Sequence, residues 1–215
     1  MNVIADFIGQ IVQILYGITG DYGIAIVMIT LAIKLLLLPL NIKQRAQLEK
    51  QKEVSQKVAE IQKKYANNQN KMNEELQKVY AENGFGSLGC LSTMIQMPIM
   101  IGLYHGIRNV INEDATSVLL PWISSLLLSD ATGILPIGTL ILQVLPMLFP
   151  YIRYFEKKQM QKTSMGTIIM LLVMNGMFVF MIPSGVGLYY FVSSLFVVVE
   201  QVIFMSFIIE KPIQI

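Results

Sequence analysis

The chain has 215 residues, of which 54% are hydrophobic and only 14% are charged, and its formal net charge is +2. Soluble domains carry about 25% charged residues, so this composition excludes an ordinary soluble protein and indicates an integral membrane protein. The single cysteine and single histidine also exclude a disulfide framework and a metal cluster built from those two residue types.

The first predicted element is an amphipathic helix over residues 1–19. Polar side chains recur along it at helical spacing: Asn2, Asp6, Gln10 and Gln13. The opposite face is apolar, which is typical of a helix that lies in the membrane interface. This stretch has no basic n-region, so we favour this interpretation over a retained signal peptide, which is the alternative. Residues Gly20–Gly23 predict a turn into the next element.

The next element is an apolar run over residues 22–40 that contains one ionisable side chain, Lys34. Nineteen helical residues span roughly 28 Å, which is close to the hydrocarbon thickness of a bilayer. A lone ammonium at that depth costs about 2.5 kcal/mol or more, so it normally faces protein or a wet cavity. Lys34 is therefore the first candidate functional residue. The alternative is that its stem carries the charge to the nearby interface.

Residues 41–87 are strongly charged and predict an antiparallel helical hairpin. Apolar residues recur at three- and four-residue spacing on both sides of the polar turn over residues 67–70. Four of its basic residues are candidates for substrate capture: Lys57, Lys63, Lys64 and Lys71. The alternative is a solvated helix pair that only tethers two spans.

Four further apolar runs predict spans over residues 88–107, 133–152, 165–183 and 185–209, which makes five in all. Thirteen of the sixteen basic residues fall between spans one and two or between spans three and four. The positive-inside rule then places the N-terminus outside and the C-terminus in the cytoplasm. Glu200 lies in the last span, and we hypothesise that its carboxylate lowers the cost of keeping Lys34 charged. A bond from Glu200 to a serine or glutamine of a neighbouring span is the equal alternative.

Several short motifs also follow one another in a fixed order along the whole chain. They are Thr30-Leu31-Ala32-Ile33-Lys34, Leu38-Pro39-Leu40, the charged hairpin, Gly89-Cys90-Leu91, Gln96-Met97-Pro98-Ile99, Leu103-Tyr104, Pro183-Ser184-Gly185 and Leu188-Tyr189-Tyr190. This order resembles the YidC/Oxa family of membrane protein insertases.

The resemblance implies an all-α membrane protein with five transmembrane helices, an interfacial N-terminal helix and a cytoplasmic hairpin. It implies an insertase and chaperone, not an enzyme, that guides hydrophobic segments of newly made proteins from the cytoplasm into the bilayer through a hydrophilic, positively charged groove. The implied location is the bacterial plasma membrane, with no cofactor. The implied partners of the monomer are nascent membrane proteins, the lipid bilayer and, transiently, a Sec-type translocon and the ribosome. A small-solute transporter or channel is the alternative, but no internal repeat supports it.

The resemblance also carries site residues onto this chain. Lys34 stands where the family usually has arginine, while Thr30 and Tyr190 match positions associated with substrate contact. Gln143 is a groove residue if the Leu-Pro motif of the third span is correctly placed, and both Leu135-Pro136 and Leu145-Pro146 fit that motif. The resemblance does not explain Glu200, which we add to the groove from its charge and depth.

Overall fold

The computed structural model describes residues 2–66, 68–83, 88–110, 115–149 and 165–207, and the regular structure in these ranges is helical. The helices are α1 (Asn2–Thr19), α2 (Tyr22–Lys64), α3 (Gln69–Asn83), α4 (Leu88–Val110), α5 (Ile134–Leu148), α6 (Met165–Met181) and α7 (Ser184–Phe207). The predicted all-α class is confirmed. Residues 150–152 and 208–209, the ends of two predicted spans, and Asn67 of the predicted turn lie outside the described ranges.

Two segments of the described ranges are long and apolar enough to cross a membrane, Tyr22–Lys43 of α2 and Ser184–Ile203 of α7. Two shorter apolar helices accompany them, Ile134–Leu148 and Ile168–Met181. The chain therefore contains membrane-span candidates at the places where the first and last spans were predicted. The count of five spans stays a prediction.

Helix α2 is longer than the predicted first span, because it continues for 43 residues and carries Pro39 in its interior. The predicted first span ends at residue 40, and the predicted hairpin begins at residue 41. Strong helix formers (Gln, Lys, Glu and Ala) follow the proline in high density, and these residues favour continuation of the helix over a break. The first span and the first helix of the hairpin are thus one helix.

The chain forms two compact units, and the second covers Leu36–Ile99. In it α3 begins after Asn68, whose side-chain oxygen accepts a hydrogen bond from the Lys71 N–H at 3.2 Å and caps the helix. Lys78 on α3 pairs with Glu75 at 2.8 Å and with Glu74 at 3.2 Å. These pairs are exposed and contribute little stability.

The first unit covers Met1–Leu35 and Met100–Ile215. In it α5 packs against both α6 and α7. A Cβ atom added at Gly138 of α5 would lie 3.0 Å from the Phe191 ring, and one at Gly187 of α7 would lie 3.1 Å from Leu135. The two glycines therefore allow a close approach of α5 and α7, which is typical of helix pairs in membranes.

Helix α1 has three faces rather than the two expected from its sequence. Ile8 and Val12 are buried against the protein, while Phe7, Ile14 and Ile18 form a second apolar stripe that is exposed. The polar residues occupy the third face. The helix ends at Thr19, and the next residue, Gly20, has a φ of 69° in the left-handed region that favours glycine.

Candidate functional site

The site is built on residues 115–133, here named the connecting loop, which fixes the starting points of three helices. Asp21 precedes α2, and one of its carboxylate oxygens accepts hydrogen bonds from the Ile24 N–H at 2.8 Å and the Ser117 hydroxyl at 2.7 Å. The other oxygen accepts the Val118 N–H at 2.6 Å. Asp21 therefore caps α2 and attaches the loop to it.

The ionised form of Asp21 is favoured by these contacts. Burial opposes ionisation, but hydrogen bonds from the Val118, Ile24 and Gly23 N–H groups and from the Ser117 hydroxyl together hold the pKa of Asp21 below its ordinary value. A carboxylate that accepts several N–H and O–H donors is a strong, charge-assisted acceptor. The carboxylate thus stays charged at neutral pH and holds the loop to α2.

Asp130 plays the same part at the start of α5. Its carboxylate accepts the Leu135 N–H at 2.8 Å, the Thr132 hydroxyl at 2.6 Å and the Thr132 N–H at 2.9 Å. Burial raises the pKa of Asp130. The hydrogen bonds from Thr132 and Leu135, together with the nearby Trp122 side chain, lower it by more, so the pKa of Asp130 lies below its ordinary value. The loop and the first turn of α5 are therefore joined by one carboxylate.

The start of α7 is attached to the same loop. The Ser184 hydroxyl and N–H both donate to the Leu128 carbonyl, at 2.6 and 2.7 Å, and the Gly185 N–H donates to the Leu126 carbonyl at 2.8 Å. The helices α2, α5 and α7 all begin at the connecting loop. The distance of a residue from the first residue of its helix therefore gives its depth below the loop, and these depths can be compared between the three helices.

Three buried hydroxyls form a layer that spans roughly 6 Å of depth along these helices. By helical rise, Thr139 is roughly 8 Å from the start of α5, Thr30 roughly 12 Å from the start of α2 and Ser193 roughly 14 Å from the start of α7. All three are buried. Thr30 donates to the Ile26 carbonyl and Thr139 to the Leu135 carbonyl at 2.8 Å, but the buried Ser193 hydroxyl has no hydrogen-bond partner in the described ranges.

Two residues of opposite charge lie beyond this layer. Lys34 is roughly 18 Å from the start of α2 and Glu200 roughly 24 Å from the start of α7, a difference that the long lysine stem covers. Lys34 is half-buried, Glu200 is only 6% exposed, and Glu200 interacts electrostatically with Lys34. The structure therefore brings these two sequence-predicted residues together.

The other predicted groove residues are placed as follows. The Tyr190 hydroxyl donates to the Met100 sulfur at 3.1 Å, and a thioether is a weak acceptor. Gln143 is half-buried on α5. Thr30 is 0% exposed, so contact between Thr30 and a substrate would require α2 and its neighbours to separate.

The four predicted capture residues lie in the other unit, on the hairpin helices. Lys57, Lys63, Lys64 and Lys71 are all exposed. Within the described part of the chain, no group of three or more His, Cys, Asp or Glu side chains is placed to hold a metal ion.

Four residues of this site were not among the predicted site residues: Ser193, Thr139, Asp21 and Asp130. An aspartate directly before an apolar helical run is a capping signature, so Asp21 and Asp130 had a readable signal. Ser193 and Thr139 had none, because serine and threonine are common inside membrane helices and their burial depends on the neighbouring helices.

Comparisons with known proteins identify the family. The family model for the 60Kd inner membrane protein matches residues 14–211. The chain belongs to this family. It is 34% identical over 208 residues to the membrane protein insertase YidC of Caldanaerobacter subterraneus subsp. tengcongensis, with 95% of each chain covered. It is also 40% identical to the insertase YidC of Clostridium perfringens, with 57% of this chain and 51% of that protein covered, and 33% identical to that of Oceanobacillus iheyensis, with 89% and 75% covered.

The predicted resemblance to the YidC/Oxa family is thereby confirmed. The shared name of these relatives supports the predicted insertase function and gives no support to a small-solute transporter or channel. Members of the 60Kd inner membrane protein family are insertases rather than enzymes, and the membrane-span candidates of this chain agree with a membrane protein.

Proposed function

We propose that this insertase guides hydrophobic segments of nascent membrane proteins from the cytoplasm into the bilayer through a hydrophilic groove bordered by α2, α5 and α7. The groove residues are Lys34, Thr30, Gln143, Tyr190 and Glu200. The observation that supports the proposal is that Lys34 and Glu200, two opposite charges in two membrane-span candidates, interact electrostatically. Such charges are costly in a membrane and are typically functional.

In the proposed mechanism Lys34 attracts the polar, often acidic flank of an incoming chain part of the way across the membrane. Attraction between charges is stronger in a partly dehydrated groove than in water, because the effective dielectric constant is lower. The apolar segment then moves sideways into lipid, and its burial supplies about 25 cal/mol for each Å² removed from water. No nucleotide, metal or other cofactor takes part, and no bond is made or broken.

Glu200 keeps Lys34 charged between substrates in this proposal. Removing one member of a buried ion pair leaves the other charge uncompensated, which destabilises a protein more than removing both. We therefore expect Lys34→Gln to lower the free energy of unfolding in mixed micelles more than the double change Lys34→Gln with Glu200→Gln does. The comparison includes the parent chain and Glu200→Gln alone. If the losses of the two single variants add up to that of the double variant, Lys34 and Glu200 are not coupled.

The proposed topology has five transmembrane helices, with the N-terminus and the connecting loop outside the cell and the hairpin and C-terminus in the cytoplasm. Its basis is the concentration of basic residues in two loops of the sequence. The proposed location is the bacterial plasma membrane. Nascent membrane proteins and lipid are the main partners, and a Sec-type translocon and the ribosome are proposed as transient partners of a functional monomer.

The test is reconstitution of the purified chain into liposomes. We expect it to insert a small single-span substrate, as measured by protection of the translocated flank from added protease, and to leave an encapsulated solute in place. Solute release without insertion would support a transporter or channel instead. Failure of both would leave a structural scaffold.

The hairpin is proposed to capture substrates through its four exposed lysines. Replacing Lys57, Lys63, Lys64 and Lys71 by glutamine should lower the rate of insertion without loss of the fold, because the helices keep their internal hydrogen bonds. Lys78→Gln is the matched control, since Glu74 and Glu75 already engage the Lys78 charge. Equal rates for the fourfold variant and this control would contradict the capture role.

A further inference from the structure

The connecting loop exposes a cluster of apolar side chains, although it is not part of a span. The cluster contains Val118, Leu119, Pro121, Trp122 and Leu128. Val118 is 81% exposed and Trp122 is 40% exposed. Contiguous apolar surface of this kind marks an interaction site, because exposure to water is unfavourable.

The one charged side chain of the loop and two of its serines are buried rather than exposed. Ser117, Ser125 and Asp130 are buried, and Asp130 is the only ionisable residue between residues 115 and 133. The exposed polar residues of the loop are small and uncharged, as in Ser124 and Ser129. The outer surface of the loop therefore carries no charge that would oppose contact with a low-dielectric medium.

The backbone of the apolar stretch is also prepared for such a medium. The Val118 N–H donates to Asp21, the Leu119 N–H to the Ser117 hydroxyl at 3.2 Å and the Leu120 N–H to the Ser117 carbonyl at 3.1 Å. An N–H group without a partner is costly away from water, so irregular backbone usually stays in water or inside protein. Here these three N–H groups are satisfied within the molecule.

Trp122 shows the same arrangement in one side chain. Its indole N–H, the single polar group of the side chain, lies near the buried Asp130 carboxylate and helps to lower the pKa of that carboxyl. Trp122 is 40% exposed, so its indole ring is available for contact with acyl chains, and such contact is favourable because the ring is apolar.

The position of the loop selects lipid as the medium. Hydrogen bonds join it to Asp21, directly before the span candidate Tyr22–Lys43, and to Ser184, the first residue of the candidate Ser184–Ile203. The ends of spans lie at the boundary between hydrocarbon and headgroups, where tryptophan is enriched. The exposed apolar stripe of α1 also ends close to Asp21 in the chain.

We infer that residues 118–122 of the connecting loop, with Leu128, insert into the interfacial region of the adjacent lipid leaflet and anchor the loop there. This lipid contact goes beyond the proposed insertion mechanism and is independent of it. It gives the loop a second attachment, to lipid, in addition to its hydrogen bonds with Asp21 and Ser184.

Trp122 is the only tryptophan of the chain and reports its own surroundings by fluorescence. The full chain is placed in phosphatidylcholine vesicles that contain lipids brominated at shallow or at deep acyl positions, and iodide is the quencher in water. We expect a blue-shifted emission and several-fold stronger quenching by the shallow bromolipid than by iodide.

Two reference variants calibrate the depth, each in a Trp122→Phe background. Gln77→Trp on the exposed surface of α3 is the water reference, and Met174→Trp, exposed in the middle of α6, is the deep reference. Trp122 should fall between them for iodide and for the deep bromolipid, and the shallow bromolipid should quench Trp122 more strongly than either reference. Iodide quenching equal to that of Gln77→Trp would overturn the inference, and so would protection from iodide and from both bromolipids, which a protein partner on the loop would give.

Discussion

Two polar regions on the same helices differ in how completely the protein satisfies them. At the connecting loop, Asp21 and Asp130 each accept several hydrogen bonds, and Ser184 donates to a backbone carbonyl. Deeper along the helices, the Ser193 hydroxyl has no hydrogen-bond partner among the described residues, and the Tyr190 hydroxyl donates to a thioether sulfur, which is a weak acceptor. Every polar group named in the first region is satisfied by the chain itself, and we call this region saturated, whereas the second region contains one buried hydroxyl, that of Ser193, which is not satisfied by the described residues.

The difference separates what holds the fold from what is open to another molecule. A saturated buried cluster fixes the relative positions of the elements that share it. A buried polar group without a partner costs free energy, so its presence calls for a functional explanation. In the proposed groove, water or the backbone of a passing substrate supplies the missing partner of Ser193.

The largest expected loss comes from a methyl group at Gly23. A Cβ atom there would overlap the Ser117 hydroxyl and lie 2.7 Å from the Ser117 Cβ. Gly23→Ala should therefore displace the loop and lower the free energy of unfolding by about 3 kcal/mol, the upper end for overpacking. Gly17→Ala on α1 is the control, since nothing lies within 4 Å of its added Cβ. Equal unfolding midpoints for the two variants in mixed micelles would show that the connecting loop does not pack closely against Gly23.

Removal of one acceptor should have the next largest effect. Asp21→Asn replaces one carboxylate oxygen by an NH₂ group. Depending on which oxygen is replaced, either the Val118 N–H loses its acceptor, or the Ser117 hydroxyl and the Ile24 N–H both do. We expect a loss of about 2 kcal/mol in the free energy of unfolding, the usual cost of an unsatisfied buried group. Asp6→Asn on exposed α1 should be neutral. A neutral result at Asp21 would contradict the capping role.

Two serines of α7 allow a matched test of the comparison. Ser184→Ala removes a satisfied donor and should cost about 1 kcal/mol of stability with normal insertion, whereas Ser193→Ala removes an unsatisfied one and should cost nothing. Ser193→Ala should instead lower the rate of substrate insertion. The reverse pattern, a stability loss at Ser193 and an insertion loss at Ser184, would invert the assignment of the two regions.

Acid should weaken the saturated region through Asp21 and Asp130, and only at low pH. The folded pKa values of Asp21 and Asp130 lie below their ordinary values, so the two carboxylates stabilise the fold fully above the unfolded pKa of about 3.9. That contribution is lost as the pH falls through the lower folded values. The unfolding midpoint should be flat from neutral pH to about 5 and drop below about 4, and the drop should be smaller in Asp21→Asn. A decline near neutral pH would implicate other groups.

Much of this comparison was readable from the sequence, and part of it was not. Apolar runs predicted the helices, and the cost of burying a lone charge selected Lys34 and Glu200. The partner of Asp21 was not readable, because Ser117 lies 96 residues away and only the folded chain brings them together. The missing partner of Ser193 was equally hidden, since satisfaction of a hydroxyl depends on every neighbouring helix. The continuation of α2 through Pro39 shows that a local breaker yields to the helix formers after it.

The charge of Lys34 is the central claim, and one measurement tests it most directly. Insertion of a single-span substrate into liposomes is compared for an acidic and a neutral translocated flank, with the parent chain, Lys34→Gln, Lys34→Arg and the control Lys43→Gln, an exposed lysine further along α2. Lys34→Gln should lose most insertion of the acidic substrate and keep that of the neutral one, while Lys34→Arg and Lys43→Gln should match the parent, because guanidinium keeps the charge. Insertion of the acidic substrate by Lys34→Gln at the parent rate would contradict the account.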